Sequence, residues 1–111
     1  MAVVNFPFGP VATLAISADA SDDALTIESN FTIVTTATLT ANATIDLTIG
    51  SEVKAGAVLF LIGKTNATET IAFGTGIEAP TITGAAGKTV TQGFVYNGTN
   101  FYPMGAKIQV D

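Results

Sequence analysis

The chain has 111 residues, and its 4 basic and 9 acidic side chains give a formal net charge of −5. It contains no Cys, His or Trp, which excludes disulfides, thiolate or imidazole metal sites and every His-based general base. All four basic residues are Lys, and an acidic chain without Arg repels a phosphate backbone, which argues against nucleic-acid binding. We therefore expect a single domain that is not an enzyme and needs no cofactor.

The residue composition predicts β structure. The sequence has 18 Thr, 10 Ile and 9 Val, and these β-branched side chains fit a pleated, half-buried sheet surface. Charged residues make up 12% of the chain, about half the usual share, so its surface must consist largely of Thr, Asn, Gly and Ala. Two interpretations of that neutral surface stay open: it belongs to a self-sufficient β-domain, or it is buried against another protein in an assembly.

The first ten residues are predicted to form an extended N-terminal arm, and residues 11–111 a single β-domain. Pro7 and Pro10 lack the N–H that a strand ladder needs, and Phe6 and Phe8 flank the first of these prolines. The two phenyl rings are expected either to pack back onto their own domain or to dock into a neighbouring molecule.

The sequence lacks the features of a signal peptide or a membrane span. Residues 1–10 contain no Lys or Arg and are interrupted by prolines, whereas a signal peptide needs a basic start and a continuous apolar stretch. The longest apolar run, from Ala55 to Gly63, is less than half as long as a transmembrane helix. We expect no membrane association, and synthesis in a cytoplasm.

The first strand is predicted over residues 11–17 and is followed by an acidic turn. Asp19, Asp22 and Asp23 place three carboxylates within five residues, and carboxylate oxygens are the ligands that Ca²⁺ prefers. The spacing, the Gly and the terminal Glu of an EF-hand loop are missing. A turn in which Asp side chains accept backbone hydrogen bonds explains the same residues and is the interpretation that we favour.

The longest regular pattern lies in the middle of the chain. Residues are apolar at every odd position from Ala37 to Ile49 and polar at every even position between them. This period of two predicts a β-strand with one apolar and one Thr-rich face. A two-residue hairpin would reverse the alternation, so the window is predicted to be one long strand or two strands joined by three residues near Asn42.

The next strand, residues 57–62, is apolar at every position and too short for a helix. Such a run predicts a central strand that is covered on both faces. Its outer face is therefore expected to contact a loop of the same chain or another subunit.

The C-terminal part is predicted to contain a hairpin at Asn97-Gly98, a strong turn signal. A two-residue loop would pair Phe94 with Phe101, and a three-residue loop would pair Phe94 with Tyr102. With about eight to ten short strands, the whole chain is predicted to be an antiparallel β-sandwich or jelly-roll-like barrel. The glycines show no fixed period, which argues against a β-helix.

A family resemblance is carried by residues 70–76, TIAFGTG, and by residues 87–102, GKTVTQGFVYNGTNFY. Residues 43–111 resemble tailed-phage virion proteins, among them capsid decoration proteins, head fibres and distal tail-fibre domains, in this strand, Asn-Gly-Thr and aromatic ending. The resemblance implies a small, often trimeric β-sandwich that acts by attachment. It implies a location in the virion, and as partners further copies of the chain and the major capsid protein or another virion protein.

Two assignments remain within that setting. A stand-alone capsid decoration protein, forming an oligomer and probably a trimer by the resemblance, needs no fibre shaft, and the chain shows no heptads or repeats for one. The alternative is a head-fibre or tail-fibre module that binds host glycan. The expected partner-contact residues are Phe6, Phe8, Tyr96, Asn97, Phe101 and Tyr102, and Asn100 would join the glycan site.

Enzymatic activity is the third class considered. Glycoside hydrolysis needs two carboxylates that flank a cleft. The chain has scattered acids at Asp46, Glu52, Glu69 and Glu78, but no Arg, His or Trp that would orient a substrate. We therefore expect no catalytic residues.

Overall fold

The computed structural model describes residues 11–111, which form ten β-strands and no helix. The predicted N-terminal arm, with Phe6 and Phe8, lies outside these described residues. The strands are β1 Val11–Ile16, β2 Ala24–Ile27, β3 Phe31–Leu39, β4 Ala43–Ile49, β5 Val58–Thr65, β6 Thr70–Phe73, β7 Ile82–Thr83, β8 Thr89–Tyr96, β9 Phe101–Pro103 and β10 Ile108–Gln109. The prediction of an all-β chain is confirmed.

The strands form two mixed sheets. The six-stranded sheet has the order β1-β3-β5-β8-β10, and β9 also pairs with β8. The four-stranded sheet has the order β2-β4-β6-β7. From β1 to β6 the chain therefore enters the other sheet after every strand, so that each pair of successive strands makes one coil of the structure.

This alternation determines the strand directions. Neighbours within a sheet come from successive coils, so β1, β3 and β5 are parallel, as are β2, β4 and β6. Antiparallel pairs appear only in the second half of the described chain, where β8 pairs with β5, β9 and β10, and β7 pairs with β6.

The prediction of an antiparallel sandwich is therefore wrong for the first six strands, and the jelly-roll-like alternative is not confirmed. The lack of a glycine period did not exclude parallel coils, because the coils differ in length. Val11 pairs with Phe31, but Phe31 pairs with the much more distant Val58. Turns of unequal length leave no repeat in the sequence for a periodicity argument to detect.

A single hydrophobic core lies between the two sheets. Val34 and Leu61 face it from the six-stranded sheet, and Ile27 and Ile71 from the four-stranded sheet, each with 1% exposure or less. The rings of Phe73 and Phe94 connect the two layers, with centroids 5.3 Å apart. Each apolar side chain buried in this way contributes on the order of 2 kcal/mol relative to exposure.

The alternating window of residues 37–49 divides between the sheets. Strand β3 ends at Leu39 and β4 begins at Ala43, so three residues separate them, which is one of the two predicted possibilities. Leu39 and Ala43 are both buried, and so the inward side of the pattern continues across the connection. The strands it joins do not pair as a hairpin, because they belong to different sheets.

The C-terminal hairpin has a longer loop than either predicted form. Tyr96 pairs with Phe101 and Phe94 with Pro103, which leaves residues 97–100 in the loop. The Oδ1 atom of Asn97 accepts hydrogen bonds from the backbone N–H groups of Thr99 and Asn100, both at 2.9 Å. These two bonds close a four-residue turn and explain why the pairing differs from a tight Asn-Gly hairpin.

Among the described residues, no helix is long and apolar enough to cross a membrane.

One polar atom in the core has no hydrogen-bond partner among the described residues. The Oγ1 of Thr32, on the inner face of β3, is buried and unpaired. By contrast, the hydroxyl of Thr65 donates to the carbonyl oxygens of Ala67 and Ala85, at 3.1 and 3.2 Å.

We expect Thr32→Val to raise the free energy of unfolding by about 1 kcal/mol, because it removes an unsatisfied buried hydroxyl and preserves the side-chain shape. The matched control Thr65→Val should lower the free energy of unfolding by about 1 kcal/mol, because it removes a satisfied hydroxyl. Urea unfolding of both variants measures the changes. Destabilisation by both substitutions would contradict the assignment of Thr32.

Candidate functional site

The outer face of the six-stranded sheet is apolar and solvent-exposed. Ile62 on β5 is 43% exposed and Ile108 on β10 is 61% exposed, although both are fully apolar side chains. The eight large apolar residues with comparable exposure all belong to this sheet or directly adjoin its strands: Val11, Phe60, Ile62, Val95, Tyr102, Met104, Ile108 and Val110. We call this surface the apolar outer face.

Strand register assembles this face from distant parts of the chain. Parallel pairing places Ile33 beside Phe60, and antiparallel pairing places Phe60 beside Gly93. The rings of Phe31 and Phe60 pack with their centroids 5.6 Å apart. Among the strand residues on this side of the sheet, only Lys64, at the end of β5, is charged. The face is therefore suited to an apolar contact and not to recognition of a charged ligand.

A groove crosses the apolar outer face between β5 and the C-terminal strands. It has a volume of about 480 Å³, and its walls include Ile33, Phe60, Met104 and Ile108. Gly93 forms part of its floor: a Cβ there would lie 3.0 Å from the Cε of Met104 and 3.2 Å from a ring carbon of Phe60. The missing side chain at this position thus keeps the groove open between two exposed apolar groups.

The segment between β9 and β10 forms one wall of the groove and is held by a hydrogen bond from the core side. The Nε2 of Gln92 donates to the carbonyl oxygen of Gly105 at 2.6 Å. Gly105 has a φ of 118°, a conformation that side-chain-bearing residues rarely adopt. Gln92 therefore positions the wall that carries Met104 without itself reaching the apolar surface.

The outer face of the four-stranded sheet has a different chemistry. On β4 the outward positions are occupied by Thr44, Asp46 and Thr48, and on β2 Thr26 is exposed. This is the Thr-rich side predicted from the alternating window. The two outer faces thus differ sharply, since one is polar and the other is largely apolar.

The predicted partner-contact residues of the C-terminal hairpin occupy different environments. Tyr96 and Phe101 are buried in the core, with ring centroids 4.9 Å apart. The side-chain oxygen of Asn97 is engaged in the turn. Tyr102, 41% exposed, lies on the apolar outer face. An aromatic surface for glycan on this hairpin is thereby reduced to the single ring of Tyr102.

The acidic turn is organised by hydrogen bonds to its own backbone. Asp19 accepts from the N–H and hydroxyl of Ser21, at 3.1 and 2.9 Å, and from the hydroxyl of Ser17. Asp22 accepts from the N–H and hydroxyl of Ser17, at 2.8 and 2.9 Å. Asp23 accepts from the N–H of Thr44, at 2.8 Å. Each carboxylate thus points to a separate set of donors, which is the favoured turn interpretation.

The described residues contain no group of three or more acidic side chains arranged to hold a metal ion. Two of the scattered acids considered for hydrolysis also bond to nearby backbone: Asp46 accepts from the N–H of Thr75 at 2.8 Å, and Glu69 from the N–H of Ala67 at 2.7 Å.

Sequence reasoning detected part of the apolar outer face and missed the rest. The uninterrupted apolar run of β5 correctly marked a strand with two apolar faces. Met104 and Ile108 gave no such signal, because each is an isolated apolar residue in a Gly- and Lys-containing segment. Only strand pairing brings them next to β5.

Comparisons of the chain with family models, with curated proteins and with solved structures each find no match. The chemistry of the site therefore has to be argued from the residues of this chain alone.

Two hydrogen-bonded carboxylates make the stability of the acidic turn depend on pH. The backbone N–H of Ser21, with the hydroxyls of Ser21 and Ser17, holds the pKa of Asp19 below its ordinary value. The backbone N–H and the hydroxyl of Ser17 likewise lower the pKa of Asp22. A carboxyl whose pKa is lower in the folded state stabilises the fold above its unfolded pKa of about 3.9, and this contribution is lost as the pH falls further.

We expect the melting temperature to fall as the pH is lowered from about 5 to about 2.5, and to fall less in the double variant Asp19→Asn/Asp22→Asn. Thermal unfolding followed by circular dichroism at a series of pH values measures both curves. An equal loss for the two proteins would show that these carboxylates do not contribute to acid sensitivity.

Proposed function

We propose that the protein is a non-enzymatic assembly protein whose copies associate through the apolar outer face. The observation that carries this proposal is the segregation of the exposed large apolar side chains to one side of one sheet. Scattered exposed apolar residues are ordinary in soluble proteins, but a contiguous patch marks an interaction surface. Burial of such a surface is favourable by about 2.5 kcal/mol for every 100 Å² of apolar area.

A second copy of the chain is the partner that this surface favours. The face offers almost no charge, so it cannot attract a charged partner by electrostatic complementarity. A neutral apolar patch is complementary to itself, and symmetric association of identical chains is the common way to bury such a patch. The net charge of −5 is carried elsewhere, which keeps association from placing acidic side chains opposite one another.

The setting that we propose is the surface of a virus particle, where the oligomer, as a trimer, decorates the capsid. Support for this setting comes from the resemblance of residues 43–111 to tailed-phage virion proteins. The low charge, the Thr-rich outer face of the four-stranded sheet and the lack of a fibre shaft in the described residues are compatible with an attachment role. In this arrangement the apolar outer face holds the copies together, and the polar sheet is available to other virion proteins.

We expect Ile62→Lys to convert the oligomer into single chains, because a lysine in the centre of the apolar outer face would have to be desolvated on association. The matched control Thr48→Lys introduces the same charge on the exposed face of the four-stranded sheet and should leave the oligomer intact. Light scattering coupled to gel filtration measures the masses against the single-chain value of 11.3 kDa. A monomeric parent protein would refute association through this face.

The virion setting has its own test. Purified protein should co-sediment with capsids prepared without it, and deletion of residues 1–10 should abolish the binding while the far-UV circular dichroism spectrum is retained. Failure of the parent protein to bind would contradict the capsid setting. Undiminished binding of the truncated protein would exclude the arm from attachment.

A further inference from the structure

We propose that the N-terminal arm of one copy, residues 1–10, lies in the groove of the apolar outer face of a neighbouring copy. The inference rests on the proposed self-association and names what fills the groove. Phe6 and Phe8 are the side chains that insert, and Phe60, Met104 and Ile108 are the residues that receive them.

The size of the face is the first argument for an added segment. Five strands, β1 to β10, at about 4.8 Å spacing, and four residue steps of about 3.3 Å define a patch of roughly 19 by 13 Å. Its projected area is roughly 250 Å², whereas a standard interface buries about 800 Å² on each partner. The sheet face alone is therefore too small for a stable contact, and apolar surface from outside the sheet has to contribute.

The composition of the arm matches the groove. Residues 1–10 contain no charged side chain, and Val4, Phe6 and Phe8 alternate with other residues, so that an extended segment would present all three on one side. The groove offers the corresponding apolar walls at Phe60 and Met104, with the floor opened at Gly93. A ring inserted between these two side chains would be shielded from water on both faces.

Reach favours a neighbouring copy over the same molecule. The arm joins β1 at Val11, on the edge of the six-stranded sheet opposite to β10. Three residues separate Phe8 from Val11, and these span at most about 11 Å. Ile108 on β10 lies four strand spacings from β1, about 19 Å. In its own molecule Phe8 would cover β3 and would not reach the far part of the groove.

The direction in which the arm leaves the sheet supports the same conclusion. Pro7 and Pro10 fix their own φ angles and bias the residues before them towards extended conformations. An extended segment that continues the line of β1 leads away from its own groove and towards another molecule. A contact of this kind, repeated from copy to copy with rotational symmetry, closes into a ring, as a trimer requires.

Disulfide trapping tests the placement directly, because the parent chain contains no Cys. The variants Phe8→Cys and Ile108→Cys are prepared separately, refolded together and oxidised mildly. A docked arm holds the two thiols at millimolar effective concentration, so the mixed disulfide should form on the order of a hundred-fold faster than with micromolar free protein. Non-reducing electrophoresis, with a mass tag on one variant, identifies the mixed dimer.

Three controls make each outcome decisive. Thr48→Cys replaces Ile108→Cys as a partner on the polar face and should give only the slow background reaction. Gly9→Cys repeats the measurement with both phenylalanines intact, and Met104→Cys samples the other wall of the groove. The double variant Phe8→Cys/Met104→Cys should form links between chains, and a predominant link within one chain would overturn the proposal.

The mass of the parent protein separates the two proposals. An oligomer that gives no fast disulfide with either groove position overturns the placement of the arm and leaves self-association standing. A monomeric parent protein refutes both. Fast mixed disulfides in an oligomer, absent with Thr48→Cys, establish that the groove of one copy holds the arm of another.

Discussion

The alternation of strands between two sheets is the constraint on which the rest of the structure depends. Because β1 to β6 change sheet after every strand, each sheet acquires its members from successive coils and in parallel. One core then serves both layers, and its inward residues follow the odd or even positions of each strand. The same arrangement makes β5 an internal strand with neighbours on both edges, so its outward side chains lie in the middle of a broad surface.

Polar groups in this molecule serve mainly to shape turns. The carboxylates of Asp19 and Asp22 bond to the backbone and hydroxyls of their own turn, and Asn97 does the same at the C-terminal hairpin. Few charged side chains remain for recognition in a chain of this composition. The surface that differs from ordinary solvent-exposed sheet is therefore the apolar one, and the function proposed for the protein is correspondingly one of assembly.

Local patterns predicted the strands well, and the pairing of strands could not be predicted from them. The period of two between Ala37 and Ile49 correctly separated core from surface, since side-chain direction along a strand depends only on local geometry. Which strands become neighbours depends on where the chain goes after each turn, and turns of unequal length hide that. The groove was missed for the same reason, because Gly93, Met104 and Ile108 meet β5 only through register.

The two ends of the stack of strands are unequal, and this bears on how such a fold changes in length. At one end β1 and β2 each pair on one side only, whereas at the other end the short strands β7, β9 and β10 close the sheets with antiparallel pairs. A further coil inserted after β2 would add one strand to each layer and leave the closing strands undisturbed. The architecture can therefore lengthen by whole coils, while the groove beside β8 stays the same.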